Sequence, residues 1–541
     1  MKRTLSKLFI SLVSISFFLT AFLLFSYTLP YKDDEGVILI FSVQKVVSLQ
    51  AICSIIILIG YLTAMLLPDK DAGAKSHKII FPIWIIIFIL SLPFAVIQFL
   101  FGSNEIEPIL VFLRDNQLDD MVFIGSDGFA HSFILWALFA IVLFTSSVFM
   151  VRRKKHFEKI LLALSLILFV VSPLVKYGIS TTIPNQAQLA FNIPERLQPP
   201  RISSKPETQK NLVIVYLESL ERSYGQIPEI KPFYKPIQAL ADQGTELTNI
   251  IQTAGTNYTI AGIIATQCGI PLFSNGLKTI FFRNGVEASM ENFLPNIHCL
   301  GDQLQDDGYL LSYMNGASLD KFSKRSFLLE HGYTRLLDKA NVSDEKKAGQ
   351  TNIWGLDDAL LFELATKEFD TLVSKNQPFV QSMLTTSTHG PDAFLDHDCA
   401  PTPDAVSQMP RAIECTGFLV TNFIEHIRNS PVGDDTIVVV LSDHLSFTNT
   451  VNAGLQSVGK DRRNFFTLLD QTGAKTVDRH MAAFDIYPTL LETLGYTVED
   501  GRANFGISLS SPLQNLTEEL GVPTLNKIFS GNAKLSAYLW R

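Results

Sequence analysis

Apolar and polar positions fall into two regimes along this chain. Over residues 1–180, Leu, Ile, Phe and Val form long unbroken runs, whereas from about residue 205 the two classes intermix as in a globular protein. Crossing roughly 30 Å of hydrocarbon takes about 17–25 apolar residues in a helix. Five stretches meet that length, approximately 6–28, 46–67, 79–101, 131–151 and 157–178. The first also reads as an uncleaved signal segment, but it lacks a small-residue cleavage site and four further spans follow it. Basic residues in the short loops set the orientation. Lys2, Arg3 and Lys7 precede the first stretch; Lys70, Lys75 and Lys78 lie between the second and third; Arg152, Arg153, Lys154 and Lys155 lie between the fourth and fifth. The alternate loops are acidic, with Asp33, Asp34 and Glu35, then Glu105, Glu107, Asp119 and Asp120. Every basic cluster therefore falls on one side, which predicts a cytoplasmic N-terminus and, after five spans, a C-terminal part outside the cytoplasm.

Residues 181–210 carry prolines and polar residues without periodicity and read as a linker. The pattern then changes abruptly. NLVIVYL (211–217) is a continuous β-branched and apolar run, as expected of a strand buried on both faces of a parallel sheet. Similar runs recur at 378–384 (PFVQSML) and 436–441 (TIVVVL), with helical patterns at 355–374 and 411–428. Strand–helix alternation predicts an α/β domain over 211–541 with a mainly parallel central sheet, carried behind a five-helix transmembrane bundle over 1–180.

A length of 541 residues suits two such units. A net charge of −8 offers no basic stripe for nucleic acid. Of five cysteines, Cys53 lies in the second apolar stretch and reads as a small hydrophobe; Cys268, Cys299, Cys399 and Cys415 fall in the C-terminal domain. An oxidising compartment permits bridges among those four. Three connectivities exist; pairing nearest neighbours, 268 with 299 and 399 with 415, closes short loops, and four buried thiols are the other reading.

In open α/β sheets, functional groups collect at the carboxyl ends of the strands. NLVIVYL is followed by Glu218, TIVVVL by Ser442, Asp443 and His444, and PFVQSML by Thr385, Thr386, Ser387, Thr388 and His389. Carboxylates and imidazoles converging on one edge suit a divalent ion such as Mn²⁺ or Zn²⁺. A metal-assisted transfer also needs a nucleophile. The stretch 252–272 supplies Thr253, Thr256, Thr259, Thr266 and Cys268.

A strand-end Glu, a Thr opening a helix some forty residues on, and a distal Ser-Asp-His resemble the alkaline phosphatase and sulfatase superfamily. Within it, TIAGIIATQCGIPLF (259–273), HCLGDQLQDDGY (298–309), STHGP (387–391) and LSDHLSF (441–447) resemble the lipid-headgroup transferases, above all the phosphoglycerol transferases of periplasmic glucans, which are related to the lipoteichoic acid synthases. The resemblance implies Thr259 as nucleophile through a phosphothreonine-type intermediate, with Thr256 one helical turn away as runner-up. It implies Glu218, Thr259, Asp443 and His444 as metal ligands, Mn²⁺ before Zn²⁺ or Mg²⁺, and His389 beside the phosphoryl group. Phosphatidylglycerol in a bacterial inner membrane would be the donor and a periplasmic glycan the acceptor. Phosphoethanolamine transfer to a glycolipid, or an inactive membrane sensor, are the competing readings.

Two departures from the superfamily pattern matter. A sulfatase needs Cys or Ser in C/S-x-P-x-R, but Cys268 stands in CGIPLF, with its Pro one place late and no Arg. The lipoteichoic acid synthases bind phosphoglycerol with an aromatic and an Arg two residues apart; here Phe322 and Lys324 hold those places, with Arg325 adjacent, and Lys is a point charge rather than a planar fork. A solvated helix face is the other reading of these basic residues. Asp357 and Asp358 read as a helix start favourable to the dipole. Asp485 and Tyr487 read as structural, and His480 as a further group that could approach the site.

Overall fold

The run NLVIVYL forms strand β1, Asn211–Leu217, with all seven residues buried. In this computed structural model the described residues are 179, 182–273, 293–390, 393–396, 398–399, 408–447, 449–470 and 472–540. Contacts divide the chain into Met1–Ile179 and Ser180–Arg541. The five apolar stretches lie outside the described residues, and no helix among the described residues is long and apolar enough to cross a membrane.

Seven further strands complete a sheet with β1: β2 Thr245–Leu247, β3 Leu310–Asn315, β4 Arg335–Leu337, β5 Phe379–Leu384, β6 Thr436–Ser442, β7 Phe466–Leu469 and β8 Lys475–Val477. Their spatial order is β8-β2-β7-β6-β1-β5-β3-β4. β7 runs against both of its neighbours, β2 and β6, and every other pair is parallel. The sheet is thus mixed and mostly parallel. β1 lies between β6 and β5, with Leu217 opposite Ser442 and Tyr216 opposite Leu384. That register sets residues 218, 443 and 385 side by side at one edge.

Helices cover both faces. Val213, Val215 and Leu217 share a core with residues of α1 (Lys235–Ala241), α5 (Asp358–Val373) and α6 (Gln408–Arg428). Each such side chain taken out of water contributes about 1.5–3 kcal/mol. On the other face lies α2, Thr259–Cys268, followed by α3 (Leu300–Asp306) and α4 (Lys324–Glu330). The Tyr216 hydroxyl and Thr266 Oγ1 on α2 are 2.8 Å apart. Ile260–Cys268 of α2 are all buried, as a helix apolar on every side should be. It stops at Gly269, whose φ of 66° closes the last turn. Cys268 at that end is bonded to Cys299, and Cys399 is bonded to Cys415 on α6.

The start of α2 touches the end of β6 backbone to backbone. A Cβ at Gly262 would run into the Asp443 carbonyl oxygen. Gly262→Ala is therefore expected to destabilise the domain by about 1–3 kcal/mol, as overpacking does. A lowered melting temperature measures it.

Candidate active site

The register of β1 and β6 brings Glu218, Asp443 and His444 together, all buried, with ligand-type atoms within 4.8 Å of one another. His444 Nε2 is 3.4 Å from Glu218 Oε1 and 3.3 Å from Asp443 Oδ2. Asp443 Oδ1 accepts the backbone N–H groups of Ser219 and His444, both at 2.9 Å. Ser219 reaches it because its backbone is left-handed, φ 55°, a conformation that costs a non-glycine residue roughly 1–2 kcal/mol. Its hydroxyl also donates to Glu218 Oε1 at 2.9 Å. Ser219 carries no spacing signal in the sequence; only the observed turn reveals its part.

Glu218 is held through its main chain as well. Its N–H donates to Thr385 Oγ1 at 3.0 Å, and its carbonyl accepts the Thr388 hydroxyl at 2.5 Å. The turn after β5 thus grips the residue following β1. His389 ends that turn: its Nε2 lies 4.0 Å from Glu218 Oε1, its Nδ1 donates to the Gly390 carbonyl at 2.7 Å, and its ring lies 3.9 Å from that of Trp354. A quarter of the His389 side chain is exposed, against 4% for Glu218.

The cluster is short of positive charge. Burial opposes charge on Glu218, yet the charge on His389 and the bond and charge of His444 hold it down to about 2. Burial, and then the charge on Glu218, push Asp443 up to about 7. Burial also opposes charge on the His444 ring, but Asp443 and Glu218 raise it to about 9. Burial lowers His389, with Glu218 pulling the other way. Asp443 Oδ2 is buried without a hydrogen-bond partner, which normally costs about 1–3 kcal/mol. His444 Nδ1 donates to the Leu445 carbonyl at 2.8 Å, so Nε2 is the nitrogen turned to the carboxylates. Two carboxylates, one with a bare oxygen, and an imidazole oriented in this way fit a divalent cation, which would replace the proton otherwise held on Nε2.

Thr259 is the first residue of α2. Its Oγ1 lies 3.4 Å from Glu218 Oε2 and 3.5 Å from His444 Nε2. Thr256, by contrast, closes its own turn, donating to the Thr253 carbonyl at 2.9 Å and accepting the Thr253 N–H at 3.1 Å. A phosphate at Thr259 would face the positive end of α2. Lys324 is not on a solvated face: it is 4% exposed, its Nζ lies 5.7 Å from the Phe322 ring centroid, and its charge bears on His389. Arg325 turns away to Asp320 and Asp338. His480 is exposed, and its carbonyl accepts from Asn515 and Thr517. The Asp485 carboxylate accepts the N–H groups of Ala482 and Ile507, a structural task. Asp357 caps α5 by accepting the Leu360 N–H, but Asp358 points inward instead of lying along the dipole.

Residues 210–496, which hold every group of this cluster, match the family model described as Sulfatase. The chain belongs to the sulfatase family. Within the sulfatase family, phosphoglycerol transferase I of Salmonella arizonae is 34% identical over 328 residues, 58% of this chain and 42% of the relative. The chain thus spans less than half the length of that relative. Among solved structures, an alkaline phosphatase superfamily protein from Vibrio parahaemolyticus superposes with a TM-score of 0.48 at 20% identity, over 64% of this chain and 79% of the other. The lipoteichoic acid synthase LtaP of Listeria monocytogenes gives 0.45 at 16%, over 63% and 95%. Cys268, the residue a sulfatase pattern would single out, sits at the far end of α2 from Thr259 and is tied to Cys299.

Proposed function

We propose that this chain is a membrane-held, metal-dependent phosphoglycerol transferase with its site outside the cytoplasm. The observation carrying the reading is the Thr259 hydroxyl, presented at a helix N-terminus to a buried Glu218–Asp443–His444 cluster. In the first half-reaction Thr259 Oγ1 attacks the phosphorus of phosphatidylglycerol. The bond from phosphorus to the diacylglycerol oxygen breaks, and that oxygen leaves with the proton that Thr259 gives up. Phosphoglycerol remains esterified to Thr259. In the second half-reaction an acceptor hydroxyl, from a periplasmic glucan or another envelope glycan, attacks the same phosphorus, the bond from phosphorus to Thr259 Oγ1 breaks, and the acceptor's proton restores the Thr259 hydroxyl.

Glu218, Thr259, Asp443 and His444 would hold the divalent ion, Mn²⁺ before Zn²⁺ or Mg²⁺, which neutralises phosphate charge and lowers the pKa of the attacking hydroxyl. His389, part-exposed and beside Glu218, would give the leaving oxygen its proton and take one from the acceptor. Buried Lys324 adds a positive charge on the same side. The five apolar stretches, read as spans, keep the site beside its lipid donor.

Incubating the purified full-length chain with Mn²⁺ and phosphatidylglycerol, and separately with phosphatidylethanolamine, tests this. Diacylglycerol and a phosphoglycerylated peptide containing Thr259 are expected from the first lipid. Release from phosphatidylethanolamine alone would make the chain a phosphoethanolamine transferase, and release from neither would sink the transferase reading.

A further inference from the structure

Two buried carboxylates take no part in the scheme above. Asp358 and Asp396 are both almost wholly shielded from solvent and stand behind the turn that follows β5. Asp358 Oδ1 accepts the N–H groups of Thr386 (2.7 Å) and Ser387 (3.1 Å), and its Oδ2 accepts the Thr416 hydroxyl of α6 (2.9 Å). Asp396 Oδ1 accepts the Ser387 hydroxyl and, at 3.1 Å, the backbone N–H of Asp358. The same turn is read from its other side by the metal cluster. Thr385 and Thr388 bond the N–H and carbonyl of Glu218, and His389 lies beside its carboxylate. Residues 385–389 are thus one clamp, gripped behind by Asp358 and Asp396 and gripping Glu218 in front.

Helix stability does not explain Asp358. Asp357 already caps α5, and a carboxylate buried one residue further on is a cost. Burial pushes Asp358 up to about 6, and burial followed by the charge of Asp358 pushes Asp396 up to about 8. Such a cost is retained where the geometry is needed.

We propose that Asp358 is a positioning residue, which by accepting the Thr386 and Ser387 amides sets the turn that fixes Glu218 and His389 relative to each other. The inference rests on Glu218 serving as a metal ligand. Groups that orient a ligand from behind change metal affinity or activity by about 10–100-fold when removed.

The test uses the full-length chain, read by Mn²⁺ affinity without lipid and by diacylglycerol release with it. Asp358→Ala removes the acceptor. Asp358→Asn keeps an oxygen for the two amides and turns an N–H₂ to Thr416. Asp358→Ala is expected to lose at least about tenfold in both measurements, and Asp358→Asn to stay within about threefold of the parent. A folded Asp358→Ala chain with parental affinity and turnover would overturn the proposal. So would an Asp358→Asn chain as impaired as the alanine variant, because charge rather than the acceptor would then be what matters. If Asp358→Ala does not fold, Thr416→Val decides: it removes the bond that anchors the second carboxylate oxygen, so the melting temperature should fall as it does for any stranded buried acceptor, while the folded chain should lose at least about threefold in affinity or turnover, parental affinity and turnover overturning the proposal. A parent chain that binds Mn²⁺ but releases no diacylglycerol removes the proposed function and leaves this inference to the affinities. A parent chain that binds none of Mn²⁺, Zn²⁺ and Mg²⁺ overturns both.

Discussion

Thr259→Ala is expected to lower diacylglycerol release from phosphatidylglycerol by at least about 10³-fold, as removal of a covalent nucleophile does. The substitution deletes a hydroxyl near both Glu218 Oε2 and His444 Nε2 while leaving the α2 backbone in place. No phosphoglyceryl adduct should then appear on the peptide around 259. Thr259→Ser restores an oxygen at the same point and should recover part of the rate. The control is Thr256→Val. The Thr256 hydroxyl is engaged at both its donor and acceptor positions by Thr253, so its loss strands a buried N–H and costs about 1–3 kcal/mol of stability rather than the chemistry. A stable Thr256→Val chain without turnover, beside an active Thr259→Ala chain, would move the nucleophile to residue 256.

Asp443→Asn is expected to weaken Mn²⁺ binding by at least about 100-fold, at the upper end of what changes around a metal site produce. Two backbone N–H groups occupy Oδ1, leaving Oδ2 alone to face the cluster. An asparagine that keeps those two bonds must point its N–H₂ at the place a cation would take. If it flips to offer its oxygen there, it strands both N–H groups. Calorimetry measures the affinity directly, and thermal melts give an independent reading. At a ligand concentration a hundred times the parental Kd, Mn²⁺ should stabilise the parent by about 2.7 kcal/mol and a hundredfold weaker variant by less than about 0.5 kcal/mol. Parental affinity in Asp443→Asn would remove this residue from the metal site.

The central strands were legible because a parallel strand covered on both faces is apolar almost throughout, as the runs at 211 and 436 are after their first residue; the run at 378 also buries Gln381 and Ser382. The antiparallel β7 was not legible. It is four residues long, FTLL, and only its pairing with Val438–Leu441 of β6 reveals its direction. The three-residue strands β2, β4 and β8 are likewise too short for a period to show. At the site, Glu218, Asp443, His444 and His389 were readable because all lie within five residues of the end of such a run. Ser219 was not, because its part depends on one backbone angle. Asp357 and Asp358 look alike at a helix start, yet one caps and the other turns inward to Thr386, Ser387 and Thr416. Only the packing of α6 and the β5 turn against that helix separates them. Lys324 resembled a solvated cation for the same reason, since what buries it comes from elsewhere in the chain.

The bond between Cys268 and Cys299 has a practical outcome for the bench. The helix that begins with Thr259 ends at that bond, and thirty-one positions of chain separate the two sulfurs. A protease cut anywhere between them leaves both fragments covalently joined. A sample nicked there would run at full length on a non-reducing gel and split only after reductant is added. Integrity of a purified preparation therefore has to be judged on paired gels, and material made in a reducing host is a different molecule from material that has been oxidised.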